Sequence, residues 1–196
     1  MKTTITRTEA RELLNKYLKT PYLRDHSRES EVVLAALAER LGENKELWGA
    51  TGLIHDLDMD IVTAEDNGME NHSKKTIEIL QEEGYDIPEA FQAIRAHTEG
   101  CLKSADVPRS TKFDYALAAG ETVTGLITAY VRMRPERFEG ASVKSLTKKF
   151  KDKAFAANVS REFINDIGKV GLERGEFFQI ALDAMAEIAD EIEAFK

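Results

Sequence analysis

Apolar residues recur along this chain at intervals of three and four, with no stretch of strict alternation, so the pattern predicts helices from end to end. Thr6 to Glu9 has capping-box spacing, and Leu13, Leu14, Tyr17 and Leu18 carry a first helix to about Lys19, before Pro21. A second helix is predicted from near His26, with His26, Ser30, Val33 and Leu37 on one face and Leu41-Gly42 as its stop. A third spans about Glu46 to Leu57, and the acidic stretch from Asp58 to Glu70 reads as a loop. A fourth starts around Asn71, aligning His72 with Thr76, Ile79 and Glu83, and a fifth begins at Pro88 and places Ala90, Ile94 and His97 together.

A sixth helix, Lys112 to Arg134, is rich in small residues (Ala116, Ala118, Ala119, Gly120, Gly125), as suits a helix packed closely in a core, and Pro135 ends it. From Phe138 to Lys196 the reading is helix without any histidine, with one stripe of Val143, Leu146, Phe150 and Ala154 and another of Phe177, Ala181, Ala184 and Ile188. The expected fold class is all-α, a helical domain over 1–137 with a helical C-terminal extension, 138–196, packed on it.

Composition narrows the functional classes. The chain has 196 residues, enough to bury a full core, and its 42% hydrophobic and 32% charged content is that of a globular protein. A net charge of −8 repels polyanions, which argues against nucleic-acid polymers as partners and leaves room for a small anion at a local positive centre. The single cysteine, Cys101, excludes an intrachain disulfide and a cysteine-based zinc site, and its position beside His97 reads as incidental. No apolar leader and no run of 18 apolar residues is present, so no membrane partner is expected and the expected location is the cytoplasm.

The candidate chemistry lies in the four histidines, all on predicted apolar faces: His26, His55, His72 and His97. Hidden imidazoles set among carboxylates suit a divalent metal such as manganese, iron, nickel, zinc or magnesium. His55 and Asp56 are adjacent and project about 100° apart on a helix, so that one side chain can face one ion while the other reaches a second.

The order His26, then His55-Asp56, His72, His97 and a carboxylate on a long helix resembles the HD superfamily of metal-dependent phosphohydrolases. The wording Gly52-Leu-Ile-His-Asp56 and Ile94-Arg-Ala-His97 agrees with it, as does the spacing from His72 to Gly84, and the resemblance covers roughly Pro21 to Arg134. The tail from Ser145 to Ala154 is similar to that of small bacterial members.

The resemblance implies an HD-type helical bundle holding one or two divalent ions. His26, His55, Asp56 and Glu121 would surround one ion, and His72 and His97 a second, with Asp56 bridging and His55 and Asp56 at the catalytic centre. Glu121 stands where the family has aspartate, and Asp58 and Met59 stand where many members have Gly-Lys. The implied activity is hydrolysis of a small phosphorylated substrate by metal-activated water. Lys144, Lys148 and Lys151, which share a helical face, and Arg95 are the candidate anion contacts, and Asp58 and Asp60 are candidate acceptors for the imidazoles. Two other activities remain open on the same residues: a di-iron oxygenase of the superfamily, and a non-catalytic, metal-stabilised ligand-binding protein.

Overall fold

The computed structural model describes residues 1–103 and 105–195. Its elements are helices: α1 Arg7–Tyr17, α2 Pro21–Leu41, α3 Lys45–Ile54, α4 Met59–Val62, α5 Lys74–Glu82, α6 Pro88–Ala96, α7 Lys112–Arg132, α8 Val143–Lys151, α9 Arg161–Asn165 and α10 Arg174–Glu187. Short 3-10 turns occur at Gly68–Asn71, Asp166–Val170, Ala189–Glu191 and Glu193–Phe195. Among the described residues there is no strand beyond one isolated bridge, Lys2 with Tyr85, and no helix long and apolar enough to cross a membrane. The all-α expectation holds.

Several boundaries differ from the sequence reading: α3 ends at Ile54 rather than Leu57, the stretch read as a loop holds α4 and the 3-10 turn at Gly68–Asn71, and three further differences have a local reason. Helix α2 starts at Pro21 rather than near His26, because a proline at the first helical position has no N–H to leave unpaired there and its fixed φ suits the start of a helix. His72 lies outside any helix. It links the 3-10 turn to α5 with ψ 143°, and Ser73 follows at φ 68°, a kink that no helical face provides. The segment after Phe138 is broken rather than continuous, and Ala154 falls beyond α8. The loop there is tied by the Arg161 guanidinium, which donates to the carbonyls of Phe150, Asp152, Phe155, Ala156 and Val159.

Helices α2 and α7 form the centre. Helix α2 packs on α3, α7 and α10, while α7 receives α6, α9 and the 3-10 turn at Asp166–Val170. Two glycines set how closely α2 is approached. A Cβ on Gly52 would lie 2.7 Å from the Ser30 carbonyl oxygen, and one on Gly120 would lie 2.6 Å from Leu34 Cδ2. Both flank the candidate site, since Ser30 is one turn after His26, Gly52 is one turn before His55, and Gly120 adjoins Glu121.

Gly52→Ala therefore meets backbone, which cannot swing aside as a side chain can. The variant is expected to lose about 1–3 kcal/mol of stability in urea unfolding, the usual cost of overpacking a core. An unchanged unfolding midpoint would contradict the close helix approach.

Candidate metal centre

The four histidines reach the site through three local devices, and all four present the same nitrogen. His55 and His97 are the C-cap residues of α3 and α6, both with αR backbone. The last carbonyls of a helix lack helical partners, and here each ring uses one: His55 Nδ1 donates to Gly52 O at 2.8 Å, and His97 Nδ1 to Ile94 O at 2.5 Å. The C-terminal end of a helix also carries partial negative charge, which favours a cation nearby. His72, released from the helix by the kink at Ser73, donates from Nδ1 to Asp58 Oδ1 at 2.8 Å. On α2, His26 Nδ1 lies 3.0 Å from Thr124 Oγ1. That hydroxyl gives its own proton to Glu121 O at 2.7 Å, so it accepts from the ring.

These partners fix the proton of each neutral ring on Nδ1, and the Nε2 lone pairs all face inward. They face Asp56. Its Oδ1 lies 3.4 Å from His55 Nε2, 3.4 Å from His72 Nε2 and 3.6 Å from His97 Nε2, and its Oδ2 lies 3.8 Å from His26 Nε2. Glu121 Oε2 lies 3.9 Å from His26 Nε2 on the far side. The rings form a chain, with centroids 5.2 Å apart from His26 to His55, 5.3 Å from His55 to His97 and 5.2 Å from His97 to His72.

The distances exceed hydrogen bonds, and Asp56 Oδ1 is a buried oxygen with no hydrogen-bond partner. An orphaned carboxylate oxygen ringed by imidazole lone pairs is costly unless a cation sits among them. Two overlapping groups have ligand atoms within 4.8 Å of one another: His26, His55 and Glu121, and His55, Asp56 and His97. The donor set fits a divalent cation on chemistry as well as on spacing, since it combines imidazole and carboxylate without thiolate.

The electrostatics agree. Burial drives the His55 ring down to about 3, so it is neutral at ordinary pH. Burial opposes ionisation of Asp56, but the imidazoles of His55, His97 and His72 hold it well below the usual carboxylate range. Burial also works against charge on His72, yet the bond to Asp58 and the carboxylates of Asp56 and Glu121 overcome it and lift the ring to about 9. Burial raises Glu121, which otherwise accepts a hydrogen bond from the Thr122 hydroxyl.

Of the residues singled out from sequence, His26, His55, Asp56, His72, His97 and Glu121 converge, and Asp58 supports an imidazole as expected. Asp58 does more, accepting also from the backbone N–H groups of Ser73 and Thr76, which pins the kink. Asp60 does not reach a ring. It takes the N–H groups of Lys19 and Thr20 and the Thr20 hydroxyl, and so anchors the start of α2. Arg95 is paired with Asp106. Lys144, Lys148 and Lys151 lie exposed on α8. Thr124 and the carbonyls of Gly52 and Ile94 went unread in the sequence. The spacing of three residues from acceptor to histidine at a helix end is the one available signal for the two carbonyls, and Thr124, far from His26 in the chain, offers none.

Comparison with curated proteins and with solved structures gives no match. The family model of the HD domain matches residues 23–133, more than half of the chain, from the first turn of α2 to just past the end of α7. HD domains bind divalent metals and are mostly metal-dependent phosphohydrolases. With the buried His-Asp cluster lying within that span, the chain belongs to the HD domain family.

Proposed function

We propose that this protein is a metal-dependent phosphohydrolase acting on a small phosphomonoester. The observation that carries the reading is one buried carboxylate, Asp56, with Nε2 atoms of His55, His72 and His97 within 3.6 Å of one oxygen and His26 beside the other. In this reading His26, His55, Asp56 and Glu121 would hold one divalent ion, and His72 and His97, together with Asp56, a second. Divalent cations there would lower the pKa of water and offset negative charge on phosphoryl oxygens.

The chain's own residues do the rest. The Nδ1 partners keep the rings in the tautomer that ligates, Asp58 orients His72, and burial keeps His55 neutral. Net charge of −8 favours a small substrate drawn to the local positive centre over a polyanion. The test is metal analysis of unsupplemented protein, then phosphate release from sugar phosphates and nucleotides with manganese, nickel or magnesium added. Iron in the purified protein with oxygen uptake and no phosphate release would replace this reading with an oxygenase.

Two further outcomes follow. Asp58→Asn weakens the acceptor that orients His72 and is expected to lower metal affinity about 10–100-fold, read by metal titration. His72 carries a proton below about pH 9, and a cation takes the neutral ring, so affinity rises with pH through neutrality. Titrations at pH 6, 7 and 8 are expected to differ by up to about tenfold per unit, the limit for one displaced proton. Equal affinity across that range would mean that metal binding displaces no proton from His72.

A further inference from the structure

The metal centre is open on one side. The His26 side chain is 26% exposed and that of Glu121 17%, while those of His55, His72 and His97 are each 8% or less. On α7 the turn after Glu121 carries Gly125, exposed and without a side chain, so that helix stays bare beside the opening. On α2 the turn before His26 carries Tyr22, which is 67% exposed. Among the described residues no ring, cation or hydrogen-bond partner holds Tyr22.

An exposed tyrosine by itself needs no explanation, but two links join this one to the site. Tyr22 and His26 lie four residues apart in one unbroken helix, so they share a face. Helical side chains lean towards the N-terminus, which lays the His26 ring over the turn of Tyr22 and carries the Tyr22 ring past the helix start. The second link is Asp60, four residues after Asp56, which accepts from Thr20 N at 3.1 Å and from the Thr20 hydroxyl. It ties the start of α2 to the corner of the chain that carries Asp56.

The chemistry of the ring selects its partner. A phenol ring standing free in water offers a flat apolar face, and a second ring stacked on it removes both faces from water. Four residues of helix rise by about 6 Å, so a ring stacked on Tyr22 stands about one turn from a phosphate at the metal centre. That separation leaves room for a spacer between ring and phosphate. A nucleoside monophosphate, with ribose between base and phosphate, has this layout. A sugar phosphate leaves Tyr22 unused, and an aryl phosphate holds its ring directly against the phosphate.

We propose that Tyr22 is a specificity-determining residue that stacks on the base of a nucleoside monophosphate whose phosphate lies at the metal centre. The assignment rests on the phosphohydrolase reading and narrows its substrate from phosphomonoesters at large to those bearing a base. The stack is remote from the bond that breaks and is the same before and during the reaction, so it lowers KM and has little effect on kcat.

The test uses the full chain loaded with manganese and follows phosphate release from adenosine monophosphate, ribose 5-phosphate and phenyl phosphate. The value of kcat/KM is expected to be at least about fivefold higher for the nucleotide than for ribose 5-phosphate. Tyr22→Ala is expected to erase that preference through KM, a loss within the range of about 5–150-fold that one base–aromatic stack spans. Tyr22→Phe, which keeps the ring, is expected to retain it. Both substitutions fall on an exposed side chain without partners, so the fold tolerates them. No preference in the unaltered protein, or a preference that survives Tyr22→Ala, overturns the stacking role alone. A loss on Tyr22→Ala as large for phenyl phosphate as for the nucleotide overturns the choice of a nucleoside. Phosphate release from none of the three overturns the phosphohydrolase reading and the role of Tyr22 with it.

Discussion

Asp56→Ala is expected to abolish phosphate release, by at least about 10³-fold, and to strip the protein of tightly held metal. The size of the effect follows from where the carboxylate stands. Asp56 faces all four Nε2 atoms, and its Oδ1 alone lies within 3.6 Å of three of them. Glu121, the other acid in the cluster, is 3.9 Å from one imidazole and is pushed towards its neutral form by burial, so it cannot substitute. Removing Asp56 takes away the one carboxylate that all four Nε2 atoms face and leaves Glu121, beside His26, as the remaining acid of the cluster. Metal content after gel filtration and turnover with added manganese measure the two losses separately. A variant that retains turnover would sink the assignment of Asp56 as the shared ligand. Loss of metal and of melting temperature, in a protein whose unaltered form turns over no phosphate ester, would instead indicate a metal-stabilised scaffold.

The helices and the six converging side chains were legible because their signals are local. Hydrophobic periods of three and four, the caps at Thr6 and Pro88, and the order of four histidines around one His-Asp pair are all visible in a single chain. What went unread depends on partners distant in sequence or on backbone atoms. His72 was expected on a helix because Thr76 and Ile79 follow it at helical spacing; only the three bonds of Asp58, to the His72 ring and to the N–H groups of Ser73 and Thr76, explain why the helix starts after it. Asp60 looked equivalent to Asp58 two residues earlier, yet it anchors Lys19 and Thr20, some forty residues upstream. The breaks in the tail have the same origin. Arg161 satisfies carbonyls that a continuous helix would have bonded internally, and no hydrophobic pattern reveals such a choice.

Glu29→Gln is expected to stabilise the protein at alkaline pH and to leave it nearly unchanged near pH 5. Glu29 is 3% exposed on α2, and its carboxylate accepts from Thr128 Oγ1 at 2.8 Å across to α7. Among the described residues no cation pairs with it. Burial raises it to about 8 from an ordinary 4.5; the Thr128 bond pulls it back, and Asp25 adds to the rise. A carboxyl whose folded value is raised favours the native state fully only below the unfolded value, near pH 4.5, and that contribution is lost as pH climbs through 8. At about 1.4 kcal/mol per pH unit the loss approaches 5 kcal/mol above pH 8, an upper limit that water entry and local relaxation reduce. Glutamine keeps an oxygen for Thr128 and cannot ionise, so the gap between variant and parent opens with pH. Urea midpoints at pH 5, 7 and 9, taken with chelator present so that metal adds nothing, would display it. A gap constant across that range would mean that Glu29 is solvated in the native state. His26–Thr124 and Glu29–Thr128 are successive rungs between α2 and α7.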